Sequence, residues 1–333
     1  MEKQMKLVRL KFKSALHIGA DNGGIGRENV QDIVHSDTLF SMMVNSCAEI
    51  ERGDMTQIDA FINSVGHVSS GFLFEQKRSG YEYYLPRPLI DPPDFLGEFG
   101  TKRRLKYAKT LKRCAYMRLG DFAKWTAGEK IGETTLKKGS EPEYKKLFAM
   151  RTTPQHARDR LTSASHLYHS GEMFFKGNAG LYFLVDGVDA SWLEAVLKNA
   201  AIKGLGGRRS LGKGAFDYEI VSTDDEWKGL FKNKGNHFVT ISLYSPTEKE
   251  MTGFTPNAYS LTLRKGWTFS SMLHGQFKRK TCTMFGEGSV FSKKPEGRLL
   301  DVTPDPASLY PHRFYRFGKA LSVPCKMSEE NHG

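Results

Sequence analysis

The stretch "IKGLGGRRSLGKGAFDYEI", residues 202–220, constrains the fold more than any other part of the chain. It holds five glycines and four basic residues between Lys203 and Gly214. The preceding segment, "DASWLEAVLKNAAI", predicts a helix capped by Asp189 or Ser191, with Trp192, Leu193, Val196 and Leu197 on one face. The following segment, "AFDYEIV", places Phe216, Tyr218 and Ile220 on one side of a strand. The loop therefore runs from a helix into a strand. A phosphate-binding P-loop runs the other way, from a strand into a helix whose N-terminal amides hold the phosphates. Gly214 also stands where the magnesium-binding hydroxyl would be needed, and Arg209 where a dinucleotide fingerprint needs its third glycine. The nucleotide-site reading fails on both counts.

Upstream, residues 6–18 alternate apolar and basic residues, as a half-buried strand does. "HSDTLFSMMVNSCAEIERGD" predicts a helix with Ser36 and Asp37 as caps and Leu39, Met42, Met43 and Cys47 inward. "GFLFEQKRSGYEYYLP" predicts a hairpin turning at "RSG" and ending at Pro86. A strand is expected over 180–187. The order is strand–helix–strand, a long insertion, then strand–helix–strand, which is the ferredoxin-like arrangement used by RNA-recognition sheets. The insertion, about 92–175, includes eight Lys/Arg and no acid between Thr101 and Arg118. Its "AGEKIGETTLKKGSEPEYKK" stretch is expected to be solvated and mobile. After a polar, acidic linker near 222–235, the remainder predicts strands and no helix. The expected fold is thus α+β with two ferredoxin-like domains: 1–222 with the insertion, and a degenerate, strand-rich 236–326.

The net charge of +12 favours an anionic partner, nucleic acid before an anionic membrane surface. The first residues lack the apolar core of a signal peptide, and no run is long enough to span a bilayer. Cys47, Cys114, Cys282 and Cys325 are too scattered for a zinc or disulfide framework, which suits a reducing cytoplasm. His156, His166 and His169 lie close together, but no cysteine or paired carboxylate completes a metal set. No cofactor is expected. In the loop, glycines let the backbone approach a sugar–phosphate chain, and Lys203, Arg208, Arg209 and Lys213 supply charge. If all four meet phosphates of single-stranded RNA, they contribute about −2.8 to the salt slope. Tyr81, Tyr83, Tyr84, Phe314 and Tyr315 are either core residues or base-stacking platforms. "MFGEGSV" (284–290) is a second glycine turn, whose Glu287 argues against phosphate contact.

"LHIG" (16–19), "HSDTLFSMM" (35–43), "LYFLV" (181–185) and "GLGGRRSLGKGAF" (204–216) resemble the RAMP superfamily of CRISPR proteins. More narrowly, they resemble the fourth subunit of type III-A Csm effector complexes. That resemblance implies a non-catalytic, cytoplasmic subunit that grips the repeat-derived 5′ handle of the CRISPR RNA. It implies protein partners too: the large polymerase-like subunit and the backbone RAMP subunit. Carried over by position, the handle would meet Lys203, Gly204, Gly206, Gly207, Arg208, Arg209, Ser210, Gly212 and Lys213. His17, Gly19, Ser36, Asp37 and Thr38 would lie beside them. "RTTPQHARDRLTSASHLY" would form a thumb near the target RNA, with Arg158 and Arg160 on RNA. The basic 101–118 segment has no counterpart, and RNA contact, subunit contact and a solvated helix face all stay open for it. Two other readings also stay open. One is a guide-processing ribonuclease of the same superfamily, using His17 or His35 as general acid or base. The other is a general basic RNA-binding protein.

Overall fold

The computed structural model describes residues 5–19, 31–93, 113–129, 131, 143–158, 165–252 and 256–327. It is a mixed α/β fold in which every named strand pair is antiparallel. The first strand, β1 (Lys6–Phe12), leads to helix α1 (Ser36–Ile50) and helix α2 (Met55–Ser64). A hairpin follows, β2 (Phe72–Lys77) and β3 (Gly80–Pro86), turning at Arg78 and Ser79 as the sequence predicts. Short β4 (Tyr116–Arg118) and helix α3 (Leu119–Thr126) come next. A long hairpin then forms from β5 (Phe148–Arg158) and β6 (Ser165–Phe175). Finally β7 (Ala179–Val185), helix α4 (Ala190–Lys203) and β8 (Phe216–Ser222) complete a six-stranded sheet ordered β4-β3-β2-β7-β1-β8.

Local chemistry explains the helix ends. Asp189 caps α4 by accepting from the Ser191 amide at 2.9 Å. The inward residues of α4 are Leu193, Val196, Leu197 and Ala200. Ser36 and Asp37 do not cap α1; that expectation is corrected. His35 is the N-cap residue and makes no capping bond, its Nδ1 meeting Glu287 instead, while Asp37, already inside the helix, is taken by two distant arginines. Helix α2 is an addition the sequence reading missed, although Asp54 accepts from the Thr56 and Gln57 amides at its start.

The stretch near 222–235, expected as a linker, instead holds helix α5 (Asp225–Lys232). Its charged residues are solvated, but Trp227 and Leu230 are buried. Trp227 packs edge-on against both Tyr83 and Tyr182, each with ring centroids 5.6 Å apart. Helix α5 therefore covers one face of the six-stranded sheet rather than separating two bodies.

The remaining chain is strand-rich, as expected, with one short helix that was not. β9 (His237–Thr240) precedes helix α6 (Glu248–Met251), a single turn closed by a Thr247–Glu250 capping box. Then come β10 (Pro256–Ala258), β11 (Leu261–Arg264), β12 (Cys282–Phe285), β13 (Val290–Phe291), β14 (Gly297–Asp301), β15 (Tyr315–Lys319) and β16 (Ser322–Cys325). They form a four-stranded sheet, β10-β13-β9-β16, and two separate pairs, β11-β12 and β14-β15. One continuous buried cluster runs from Leu7, Phe74 and Phe183 to Val239, Phe317 and Val323. Among the described residues, no helix is long and apolar enough to cross a membrane.

Candidate nucleic-acid interface

The glycine loop is sewn onto the residues that follow β1. The Gly207 amide donates to the His17 carbonyl at 2.8 Å, and the Gly214 amide to the Ala15 carbonyl at 2.9 Å. The Leu205 amide closes the loop on the Gly214 carbonyl at 2.9 Å. Two positions show why glycine is needed. A Cβ on Gly206, at φ +85°, would stand 2.5 Å from the His17 carbonyl oxygen. One on Gly214, at φ +75°, would stand 2.0 Å from that of Leu205. Both are left-handed and blocked by backbone, so no side chain fits. Between them Arg208 is also left-handed, at φ +59°, a conformation costing a non-glycine residue of order 1 kcal/mol. Ser210, Leu211 and Gly212 form the exposed tip.

The four cations of the loop divide into two kinds. Lys213 Nζ lies 2.9 Å from Glu172, a carboxylate buried at the root of the β5–β6 hairpin. Lys203 pairs at 3.5 Å with Glu49 near the end of α1, at the surface. Arg208 instead places its guanidinium 5.0 Å from the Tyr168 ring, and Arg209 places its own 4.2 Å from the Phe269 ring. Burial lowers the Arg209 pKa and Glu49 works against that shift; the group stays a cation all the same.

His17 is buried beneath this loop. Its Nδ1 lies 2.7 Å from the Gly171 carbonyl, and because a carbonyl only accepts, Nδ1 carries the proton. Leu16 and Met173 exchange backbone hydrogen bonds at 2.9 and 2.8 Å, tying the same segment to β6. Gly19, at the end of the segment, is exposed. The structure thus gathers His17, Gly19 and the whole 203–214 loop in one place, with the hairpin root beside them.

The helix-start residues lie elsewhere in character. Ser36 and Asp37 are fully buried. Ser36 Oγ accepts from the Leu243 amide at 3.1 Å. Asp37 receives Arg264 through Nε at 3.0 Å and Nη2 at 2.9 Å, and Arg316 Nη1 as well. Burial alone would raise the Asp37 pKa, yet the two arginines overcome it and hold the carboxyl far below the usual range. His35 Nδ1 meets the buried Glu287 at 2.8 Å, with the Ser70 hydroxyl donating to the same oxygen. Burial likewise works to raise Glu287, and His35 outweighs it to hold the pKa low. The charge of Glu287 is thus spent inside the protein. Thr38 is half-buried, its Oγ1 accepting from Arg264 at 3.2 Å. These residues bind the first half of the chain to the second.

Arg158 ends β5 opposite Ser165, and Arg160 lies outside the described residues. So does most of 101–118 and of the stretch 127–146 expected to be mobile. Tyr83 and Tyr84 are buried core residues, as is Phe314, while Tyr81 lies 3.8 Å under the Arg9 guanidinium. Sequence reasoning missed Tyr168, Glu172 and Phe269 as neighbours of the loop. Phe269 left a legible signal: residues 251–286 contain no Asp or Glu and carry Trp267, Phe269 and Phe277 among cations.

Residues 233–325 match the family model of the CRISPR Csm4 C-terminal domain. The chain is also 27% identical over 275 residues to the CRISPR system Cms protein Csm4 of Thermococcus onnurineus, covering 80% of this chain and 84% of that one. The fold is shared with a Csm1–Csm4 cassette in complex with cA4, at TM-score 0.60, 21% identity and 98% and 99% coverage. It is shared equally with a Csm3–Csm4 subcomplex of the type III-A interference complex, at TM-score 0.61, 18% identity and 96% and 99% coverage. These similarities to Csm4 proteins agree with the resemblance read from the motifs.

Proposed function

We propose that the chain is the RNA-gripping Csm4-type subunit of a type III-A CRISPR effector, holding the 5′ handle of the CRISPR RNA on its glycine loop. The observation that carries this reading is the loop itself. Backbone bonds to Ala15 and His17 fix it, its tip is exposed, and Arg208 and Arg209 rest on aromatic rings instead of carboxylates. Stacked guanidiniums keep their planar donors available for phosphate. Lys203 and Lys213 begin from ion pairs, so they add less than the full −2.8 slope assigned to four free cations.

The same reading covers the architecture. The strand order β8-β1-β7-β2, with α1 and α4 as crossovers, supports a ferredoxin-like domain over 1–222. The strand-rich 236–326 supports a degenerate second one, joined to the first through the shared core. The β5–β6 hairpin, eleven residues on each side, fits a thumb reaching the target RNA. The solved Csm1–Csm4 and Csm3–Csm4 assemblies whose fold the chain shares support a large subunit and a backbone subunit as partners, and a cytoplasmic location goes with that role.

The role is non-catalytic. His17 and His35 are both buried, and each commits Nδ1 to an internal partner. A general acid or base must reach the proton it transfers. The test mixes the pure chain with 5′-labelled CRISPR RNA bearing the handle, without metal, and scores crosslinking and cleavage together. Intact RNA crosslinked at the handle to a 203–214 peptide is expected. Cleavage lost on replacing His17 or His35 would make the chain a processing enzyme instead, and binding indifferent to the handle would make it a general RNA binder.

A further inference from the structure

Beside the glycine loop lies a groove of about 450 Å³, and one wall of it is the pair of helices α1 and α2. Helix α1 gives that wall Val44 and Ala48, one turn apart, and α2 gives it Met55, Ile58 and Ile62, at i, i+3 and i+7. Ile58 and Ile62 are buried in the core, while Val44, Ala48 and Met55 are half-buried and face the groove. The wall is aliphatic, and from Met55 to Ile62 it runs about 10 Å, the rise of two helical turns.

Met272 and Pro311 line the far side, from the 265–280 loop and the 307–315 turn. Ser270 Oγ and His312 Nε2 join those two segments at 2.7 Å, and the Met272 amide donates to the same Ser270 oxygen at 3.1 Å. Both walls are therefore formed in the free chain, so a partner seated between them orders little. Charge divides the two sides. Asp59 stands on the α2 side, and Arg279 and Arg313 stand on the far side. The Arg313 side chain is 52% exposed, and its pair with Asp301 is a long one at 3.7 Å. The acid-free run from Met251 to Gly286 supplies the loop of that side.

An aliphatic floor gives an RNA base little to stack on. A second copy of the chain carries the same charge of +12 and meets repulsion at the arginines. The occupant that fits has an apolar ridge with carboxylates along one edge, which is the form of an amphipathic helix. We propose that this groove docks such a helix from a partner protein. Its apolar residues at i, i+4 and i+7 pack on Val44, Ala48 and Met55, and its carboxylates face Arg279 and Arg313. The assignment rests on the reading of the chain as a subunit of an effector complex, and it says which face takes a partner and what chemistry that partner brings.

The test puts the photocrosslinker benzoylphenylalanine in place of Ala48 and assembles the full chain with handle RNA and the large and backbone subunits. The expected product is one crosslinked peptide of one subunit, with apolar residues at i, i+4 and i+7 and carboxylates beside them. Ala48→Glu places a charge in the middle of the groove and is expected to weaken capture of that subunit by about ten-fold or more. Handle-RNA affinity should stay unchanged. Arg313→Glu lies at the surface and serves if Ala48→Glu disturbs folding. It is expected to weaken the same capture roughly five-fold, the size of one surface ion pair made repulsive. A lysine in place of the partner's carboxylate should restore it. A crosslink to RNA, to a second copy or to a segment without that spacing overturns the proposal. So does an assembled complex with no crosslink, or capture that neither substitution changes. Failure of the subunit reading looks different: the unaltered chain would then capture neither subunit, and the proposal would fall with it.

Discussion

The helix start at 35–38 and the glycine loop at 203–214 look alike in sequence, since both are short, polar connections at the end of an element. In the folded protein they do opposite work. Asp37 faces two arginines 227 and 279 residues away, and all three side chains are buried. The loop instead hydrogen-bonds through its backbone and leaves its arginines on rings near the surface. A polar motif spends its side chains inside the protein or leaves them near the surface according to whether its side chains or its main chain hold it in place.

The sharpest way to break this contrast is to remove one anchor. Asp37→Ala leaves Arg264 and Arg316 buried without their counter-charge, and is expected to cost about 3–5 kcal/mol in urea unfolding. A cost near zero would mean the cluster does not join the halves. The same cluster predicts acid sensitivity. Asp37 and Glu287 have pKa values held below their unfolded ones, so their contribution is complete above about pH 4–5 and is lost as pH falls below that. Asp37→Asn should flatten this acid limb, which an unfolding series at successive pH values would read.

A smaller effect separates the two lysines of the loop. Lys213→Met strands the buried Glu172 and is expected to cost about 1–3 kcal/mol of stability. Lys203→Met breaks only a surface pair and should cost under about 1 kcal/mol. Equal effects would remove the distinction between a buried ion pair and a surface one. Gly214→Ala belongs beside Lys213→Met, because its Cβ would meet the Leu205 carbonyl oxygen. It is expected to cost about 1–3 kcal/mol of backbone strain and to weaken RNA binding along with folding.

How much of this was legible beforehand follows from how far apart the partners lie. The β2–β3 hairpin and α4 were readable because alternation, an Asp cap and helical spacing are local signals. Helix α5 was hidden, since eight residues with a strongly charged face read as a linker until Trp227 finds Tyr83 and Tyr182. The glycine loop was legible as a tightly held turn because glycine clustering is itself a backbone signal. Glu172, Tyr168 and Phe269 were not, since only folding brings β6 and the 265–280 loop to it. Asp37 shows the same limit in reverse: no pattern around it announces Arg264 and Arg316.

The most direct measurement is the salt dependence of handle-RNA binding by the unaltered chain and by an Arg208→Ala/Arg209→Ala variant. Two stacked arginines on phosphates of single-stranded RNA predict a slope shallower by about 1.4 in the variant, with folding stability nearly unchanged. An identical slope in the two proteins would contradict the account, and would take the glycine loop out of the RNA interface.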